Sequence, residues 1–223
     1  MVVVGTHNGP FHCDDVMAVA LISMFLGKPQ VHRTRDAATL AGCELVVDVG
    51  GEFDPARGRF DHHQFRSASD RVKSRWLTGV SLSSAGMVLE HLADRGAIPT
   101  DVAACLYRDL VAAVDVTDNG DDPLPAEGMP EGMNPPFGSS ESEYLASFED
   151  AVAFAMEVVR PHLRAAEGEA KALAFLREQI ALQGDGEILV FDKLERGMLV
   201  SFSPTWAQEP NSSFIHPRSE DGC

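Results

Sequence analysis

The sequence predicts an α/β fold organised on a parallel sheet flanked by helices, and three observations carry that prediction. Val2-Val3-Val4-Gly5 and Leu45-Val46-Val47-Asp48-Val49 are short, continuous, β-branched runs closed by glycine, as expected of strands buried on both faces. Helical apolar spacing recurs between and after them, at 14–27, 84–95 and 101–118. Histidines and aspartates gather just past the strand ends, where open α/β sheets form their ligand crevice.

Residues 2–5 read as the first strand. The polar stretch Thr6 to Asp15 leads into a helix in which Val16, Val19, Ala20, Ser23 and Met24 share a face and Gly27 ends the run. His7, His12 and Asp14 are read as metal ligands in this strand-to-helix loop. The alternative is Asp14 as a plain N-cap and the histidines as loop residues. Gln30 to Thr34 is a second short strand, with His32 structural or exposed, and Asp36 caps a short helix over 36–42. Leu45 to Gly51 is the third strand. Asp48 interrupts its apolar run near the C-terminal end, and a buried carboxylate there demands a cation or donors. Gly50-Gly51 permits a sharp turn, and residues 52–58 form a turn-rich connector.

Arg59-Phe60-Asp61-His62-His63-Gln64 is hard to explain as packing. Adjacent histidines on a strand point to opposite faces, so one apolar face cannot hide both. Carboxylate oxygen beside imidazole nitrogen suits Mn²⁺, Fe²⁺ or Zn²⁺. Residues 66–80 are polar and basic without periodicity and are read as a mobile loop over the site, with Arg66, Arg71, Lys73 and Arg75 as phosphate contacts. Ser83 caps the helix 84–95. Ser83 and Ser84 are also candidates to give hydroxyls and N–H groups to a phosphate, while Glu90 and His91 fall on the outer side. The helix over 101–118 ends in Ala113 to Gly120, where Asp115 follows an apolar face and points inward, and Asp118-Asn119-Gly120 is a turn signal. Residues 121–138, rich in proline and glycine, are a connector without regular structure. A helical pattern then runs over 139–183, and 187–191 and 197–202 read as strands.

The domain reading is therefore a catalytic domain over 1–138, a helical extension over 139–183, and the start of a second domain over 184–223. At 223 residues, 44% hydrophobic and 23% charged, the chain can bury a proper core. No run approaches the ~18 apolar residues of a membrane span. The N-terminus lacks a basic region and a cleavage site, so a cytoplasmic protein is expected. Cysteines 13, 43, 105 and 223 are scattered, without any Cys-x-x-Cys pair, and are expected to be reduced. The net charge of -16 argues against holding long duplex nucleic acid by phosphate neutralisation alone. It is unevenly spread. Residues 109–157 hold 12 acidic residues and no Lys or Arg, whereas 57–75 holds six basic residues against Asp61 and Asp70.

Apart from the contiguous Asp61, His62 and His63, the candidates His7, His12, Asp14, Asp48 and Asp115 come from the ends of separate elements, and all eight together exceed what one ion needs. They suit two metals about 3.5–4 Å apart activating a water for phosphoryl displacement, with Asp48, Asp61, His62 and His63 as the catalytic core and Asp48 as the bridge. The chain has no nucleophile elbow, Walker A or Gly-x-Gly-x-x-Gly, which leaves covalent, NTPase and dinucleotide chemistry without support.

Five segments in this order, Gly5–Asp15, Val47–Gly51, Arg59–Gln64, Leu82–Gly86 and Ala113–Gly120, resemble the melanocyte-proliferating-gene type exonuclease family, a branch of the DHH phosphoesterases. The resemblance spans residues 4–120. It implies an N-terminal, Rossmann-like DHH domain with a divalent metal centre of Mn²⁺ or Mg²⁺, and hydrolysis of single-stranded RNA or oligonucleotides as a 3′–5′ exonuclease. Asp14, Asp48, Asp61, His62, His63 and Asp115 match the superfamily's metal motifs, and His7 and His12 the family's first motif. Asp15 stands where the family more often has Glu. The family continues into a substrate-gripping second domain, of which 184–223 reads as only the beginning. The competing readings are a pyrophosphatase or cyclic-dinucleotide phosphodiesterase on the same centre, and an inactive metal- or RNA-binding remnant. Whether the chain forms a homodimer is left open.

Overall fold

The computed structural model describes residues 1–120, 130–183, 189–191 and 215–217, and the chain divides into two compact units, Met1–Leu163 and Arg164–Cys223. The first unit carries a sheet of β1 (Val3–Thr6), β2 (Gln30–Arg33), β3 (Leu45–Val47), β4 (Phe53–Asp54) and β5 (Arg59–Phe60) in the order β2-β1-β3-β5-β4. All neighbours are parallel except the β4–β5 pair. The strand order reverses at β1, which gives way to β2 on one side and β3 on the other. The crevice beyond the C-terminal ends of β1 and β3 is therefore the topological switch point.

β4 is the element the pattern hid. The connector over 52–58 folds back as a two-residue strand, joined to β5 by a 3₁₀ turn, Pro55–Arg57, and Gly58 at φ 69°. A side chain at Gly58 would strike the Glu44 carbonyl, so this turn closes against β3 only with glycine.

Helix α1 (Cys13–Leu26) is buried without a break from Cys13 to Ile22, because the sheet lies on one side and α3 (Ser84–Asp94) on another. Its cap is His12, whose N–H donates to Asp15 Oδ1 at 3.0 Å. Asp14, with an N-cap as its alternative reading, is instead inside the first turn and turned to the crevice. α2 (Ala37–Ala41) covers the opposite sheet face through Leu40, Cys43, Val46 and Val49. Asp36 caps it as expected, accepting from Thr39 N at 2.8 Å. A Cβ at Gly5 would lie 2.7 Å from Leu40 Cδ2, so any larger residue in β1 here would push the Leu40 side chain of α2 aside.

The helix read over 101–118 has three parts: α4 (Thr100–Leu106), a π-helical turn (Tyr107–Val111) and α5 (Ala112–Asp118). Residues 71–82 close on themselves through Leu82 N to Val72 O at 2.8 Å and Ser74 N to Val80 O at 3.0 Å. His91, placed by sequence on the outer surface, is partly buried with its ring 4.9 Å from that of Phe60.

The helical reading over 139–183 is met by α6 (Glu141–Gln183), which accommodates Pro161 within it. Phe148, on its early turns, is fully buried and packs edge-on against Phe11 at 5.7 Å. In the second unit, β6 (Leu189–Phe191) and β7 (Ile215–Pro217) pair in parallel. Of the connector read over 121–138 as irregular, residues 121–129 lie outside the described residues, as does the strand read over 197–202, while Pro130–Met133 form a 3₁₀ turn. No helix among the described residues is long and apolar enough to cross a membrane.

Candidate metal centre

Every strand that ends at the crevice contributes a polar side chain just beyond its last residue. His7 follows β1, Asp48 follows β3, and Asp61, His62 and His63 follow β5. The first turn of α1 adds Asp14 and Asp15, and the last residue of α5 is Asp118. His7, Asp14, Asp15, Asp48, Asp61 and His62 are all buried.

Asp48 sits at the centre. Its Oδ2 lies 3.2 Å from His7 Nε2, and its Oδ1 lies 3.4 Å from His62 Nε2 and 3.2 Å from His63 Nδ1. The two oxygens of one carboxylate thus face two different sets of imidazoles. Asp48 holds this position at φ 56°, the one left-handed non-glycine residue described, followed by Gly50 and Gly51 at φ 102° and 68°. Such a conformation is tolerated by Asp better than by most residues.

Three groups of side chains place one ligand atom each within 4.8 Å of the others: His7, His12 and Asp48; Asp48, His62 and His63; and His12, Asp14 and Asp118. His7 Nε2, Asp14 Oδ1, both Asp48 oxygens, His62 Nε2 and Asp118 Oδ2 are buried without a completed hydrogen bond. Buried polar atoms are satisfied in the great majority of cases, so converging orphans of both kinds, imidazole nitrogen and carboxylate oxygen, fit divalent cations.

The electrostatics point the same way. Burial, reinforced by the charge of Asp48, holds the Asp14 carboxyl well above its ordinary range. Burial likewise pushes Asp15 up to about 7 against the pull of His7, and raises Asp118 against that of His62. Asp48 is driven the other way: burial opposes its charge, but the imidazoles of His62, His63 and His7, all within 3.4 Å, keep it low. Asp48 and Asp61 hold the His63 ring protonated, raising it to about 10. Several buried carboxyls thus crowd around Asp48, a field that favours positive charge among them.

Two predicted ligands have other work. Asp61 Oδ2 accepts from Gly51 N at 2.6 Å, and its Oδ1 accepts from His63 N at 3.0 Å and lies 2.9 Å from His63 Nδ1. It fixes the His63 ring and the Gly50-Gly51 turn, and it falls outside the three ligand groups. Asp115 is also outside them. Its Oδ1 accepts from Ser83 N, Ser83 Oγ and Gly86 N, and its Oδ2 from Tyr107 OH, which uses the carboxylate completely. The residue that α5 delivers is Asp118, read from sequence as a turn residue. Its Oδ2 is 3.1 Å from His62 Nε2. Asp15, which stands where the family more often has Glu, orients His7 from 3.3 Å.

Ser83 and Ser84 are fully buried and turn inward rather than toward a ligand. Ser84 Oγ donates to the Phe60 carbonyl at 2.8 Å, and Ser84 N lies 3.3 Å from Asp14 Oδ2. Of the four basic residues read as phosphate contacts, three are engaged elsewhere. Arg71 donates to the Asn119 carbonyl, Lys73 to Ser81 Oγ at 2.6 Å, and Arg75 to Asp94 at 2.6 Å and to the Glu90 carbonyl. Arg66 is exposed.

The loop carrying His7 and His12 is held from outside. Asn134 accepts from Phe11 N at 2.9 Å and donates to Phe11 O at 2.8 Å, as a neighbouring strand would. Arg33 donates to the Gly9 carbonyl at 2.8 Å and lies over the Phe11 and Phe148 rings at 5.6 and 4.6 Å. Neither residue carries a sequence signal for this role, since both act through tertiary contacts.

The chain is 47% identical over 119 residues to the MYG1 protein of Chlamydia muridarum, covering 52% of this chain and 37% of that one. It is 40% identical over 136 residues to the MYG1 exonuclease of Bos taurus and 38% identical over 135 residues to that of Homo sapiens, covering 52% of this chain and 35% of each. The match thus spans about a third of the length of these curated relatives. No solved structure matches. The profile of the MYG1 exonuclease family, described as uncharacterised protein family UPF0160, matches residues 3–215, and the chain belongs to that family.

Proposed function

We propose that this chain is a metal-dependent phosphodiesterase acting on RNA or short oligonucleotides from the 3′ end, in which Asp48 would be the carboxylate shared in holding two divalent ions, Mn²⁺ or Mg²⁺. The observation that carries this reading is the disposition of Asp48, whose two oxygens face His7 on one side and His62 and His63 on the other. In this assignment His7, His12, Asp14, His62 and Asp118 complete the ligand set. When bound, such ions supply a nucleophilic water at neutral pH and neutralise charge on the phosphoryl group. The chain's own residues do the rest. Asp15 and the Asn8 carbonyl orient His7. Asp61 locks the His63 ring by one nitrogen, leaving a side chain that is 58% exposed at the mouth of the centre. The relatives named as exonucleases support the nuclease class.

The test is cleavage of 5′-labelled single-stranded RNA with Mn²⁺, repeated with EDTA and with Asp48→Ala. A ladder shortening from the 3′ end, lost in both controls, is expected. Stoichiometric metal with no cleavage of RNA would overturn the nuclease reading. Turnover of pyrophosphate alone would replace it with the small-substrate one.

A further inference from the structure

Resting on the phosphodiesterase reading, we propose that Phe65 and Phe53 form a nucleobase subsite at the mouth of the metal centre, so that the substrate is recognised by a base as well as by its phosphate. Phe11, Phe60 and Phe148, the core phenylalanines of this unit, are completely buried. Phe53 and Phe65 are not: both are partly exposed, with their rings edge-to-face at 6.4 Å and 67°.

Their position is fixed by backbone. Phe53 pairs across the β4–β5 ladder with Phe60, the residue just before Asp61, so it stands at the crevice end of the sheet. Phe65 closes the turn that bears the histidines, with its N–H donating to the His62 carbonyl at 3.2 Å. Gln64 tightens the same turn by donating to the Asp61 carbonyl at 2.8 Å. Phe65 is two residues from His63, so their Cα atoms are at most about 7 Å apart, the reach of a single nucleotide. The next residue is the exposed Arg66. A half-open aromatic pair beside the exposed Arg66 guanidinium is the combination that accepts a base on a ring face while a cation holds the backbone. A pyrophosphate has no use for the rings. The occupant is therefore the base of a nucleotide whose phosphate lies at the metals, and stacking makes the preference tolerant of base identity.

The experiment titrates the Mn²⁺-loaded protein with a dinucleotide and with the same compound lacking one base, following binding and hydrolysis together. The dinucleotide is expected to bind about tenfold or more tightly than its base-less counterpart, the scale of one stacked base. Phe65→Ala should erase that difference while leaving metal stoichiometry and base-less affinity unchanged, and Phe65→Trp should keep it. Phe65→Leu preserves apolar packing without a ring face, and is expected to behave as the Ala variant if that one folds poorly. Equal or undetectable affinities for the two compounds in the wild type would overturn the subsite, as would a Phe65→Leu protein that retains the base preference. A base preference in binding without hydrolysis would sustain the subsite and sink the phosphodiesterase reading. Hydrolysis without a base preference would do the reverse.

Discussion

Tyr107 donates its phenolic hydrogen to Asp115 Oδ2 at 2.8 Å from within the π-helical turn, and the same carboxylate gathers Ser83 and Gly86 at the start of α3. This buried knot joins the fourth and fifth helices to the helix that touches Asp14. Burial holds both the Asp115 carboxyl and the Tyr107 phenol above their ordinary ranges, Asp115 to about 7. Tyr107→Phe should leave a buried acceptor short of a donor and cost about 1–3 kcal/mol, measured by denaturant unfolding. Gly86→Ala drives a methyl into the Asp115 carboxylate and should cost about as much through overpacking. Neither should change metal stoichiometry. Loss of bound metal in Tyr107→Phe would place Asp115 in the ligand set after all.

The arrangement around Asp48 predicts unequal losses. Asp48→Ala should remove both ions, whereas His7→Ala or Asp118→Ala should weaken one and leave the other. Metal analysis by mass spectrometry after desalting reads this directly. An Asp118→Ala protein with full occupancy would return Asp118 to the role of a turn residue.

The same aspartates show how far the sequence could be read. Asp48 is legible because it breaks an apolar strand, and Asp61-His62-His63 because adjacent histidines cannot share one buried face. Asp115 and Asp118 stand otherwise than their pattern suggests, and the reason is physical. The α-helical period carried across 101–118 does aim Asp115 inward, but inward there means toward α3. The π-turn at 107–111 shifts the phase of the residues after it, and hydrophobic spacing does not report an i→i+5 turn. The parallel strands are legible for the opposite reason, being buried on both faces. β4 is not, since two residues between turns carry no period. The hydroxyls of Ser83 and Ser84, and the cations of Arg71, Lys73 and Arg75, depend on tertiary partners that composition cannot reveal.

Metal uptake should be coupled to pH. In the metal-free chain Asp48 and Asp61 raise His63 to about 10, above the ordinary value near 6.5. At pH 7–8 its ring therefore carries a proton whose charge opposes an incoming ion at Asp48. Affinity should rise with pH until about 10, by up to about tenfold per unit for one proton released. Calorimetry in buffers of different ionisation enthalpy counts that proton. The same proton favours the folded metal-free chain, fully below about pH 6.5, and this contribution fades as pH rises through about 10. Affinity independent of pH between about 6 and 9 would refute the coupling.

The external clamp on the His7–His12 loop should be felt at the metals. Asn134→Ala removes both backbone contacts to Phe11, and Arg33→Ala removes the Gly9 contact and two aromatic faces. Each should lower metal affinity about 10–100-fold, the usual cost of losing an outer support. Circular dichroism should remain that of a folded chain. Unchanged affinity in both variants would mean the loop is self-supporting.

Asp48 also carries a liability. It is the described non-glycine residue with a left-handed backbone, and it stands among carboxyls that repel it. Asp48→Gly would release that backbone cost, about 1 kcal/mol, and above about pH 10, where the His63 proton that Asp48 holds is gone, the metal-free variant should melt no lower than the parent. A library screened for heat resistance alone at such a pH would then discard this carboxylate early. Persistence of Asp48 under such a screen would mean that bound ions, rather than the bare fold, set the melting temperature.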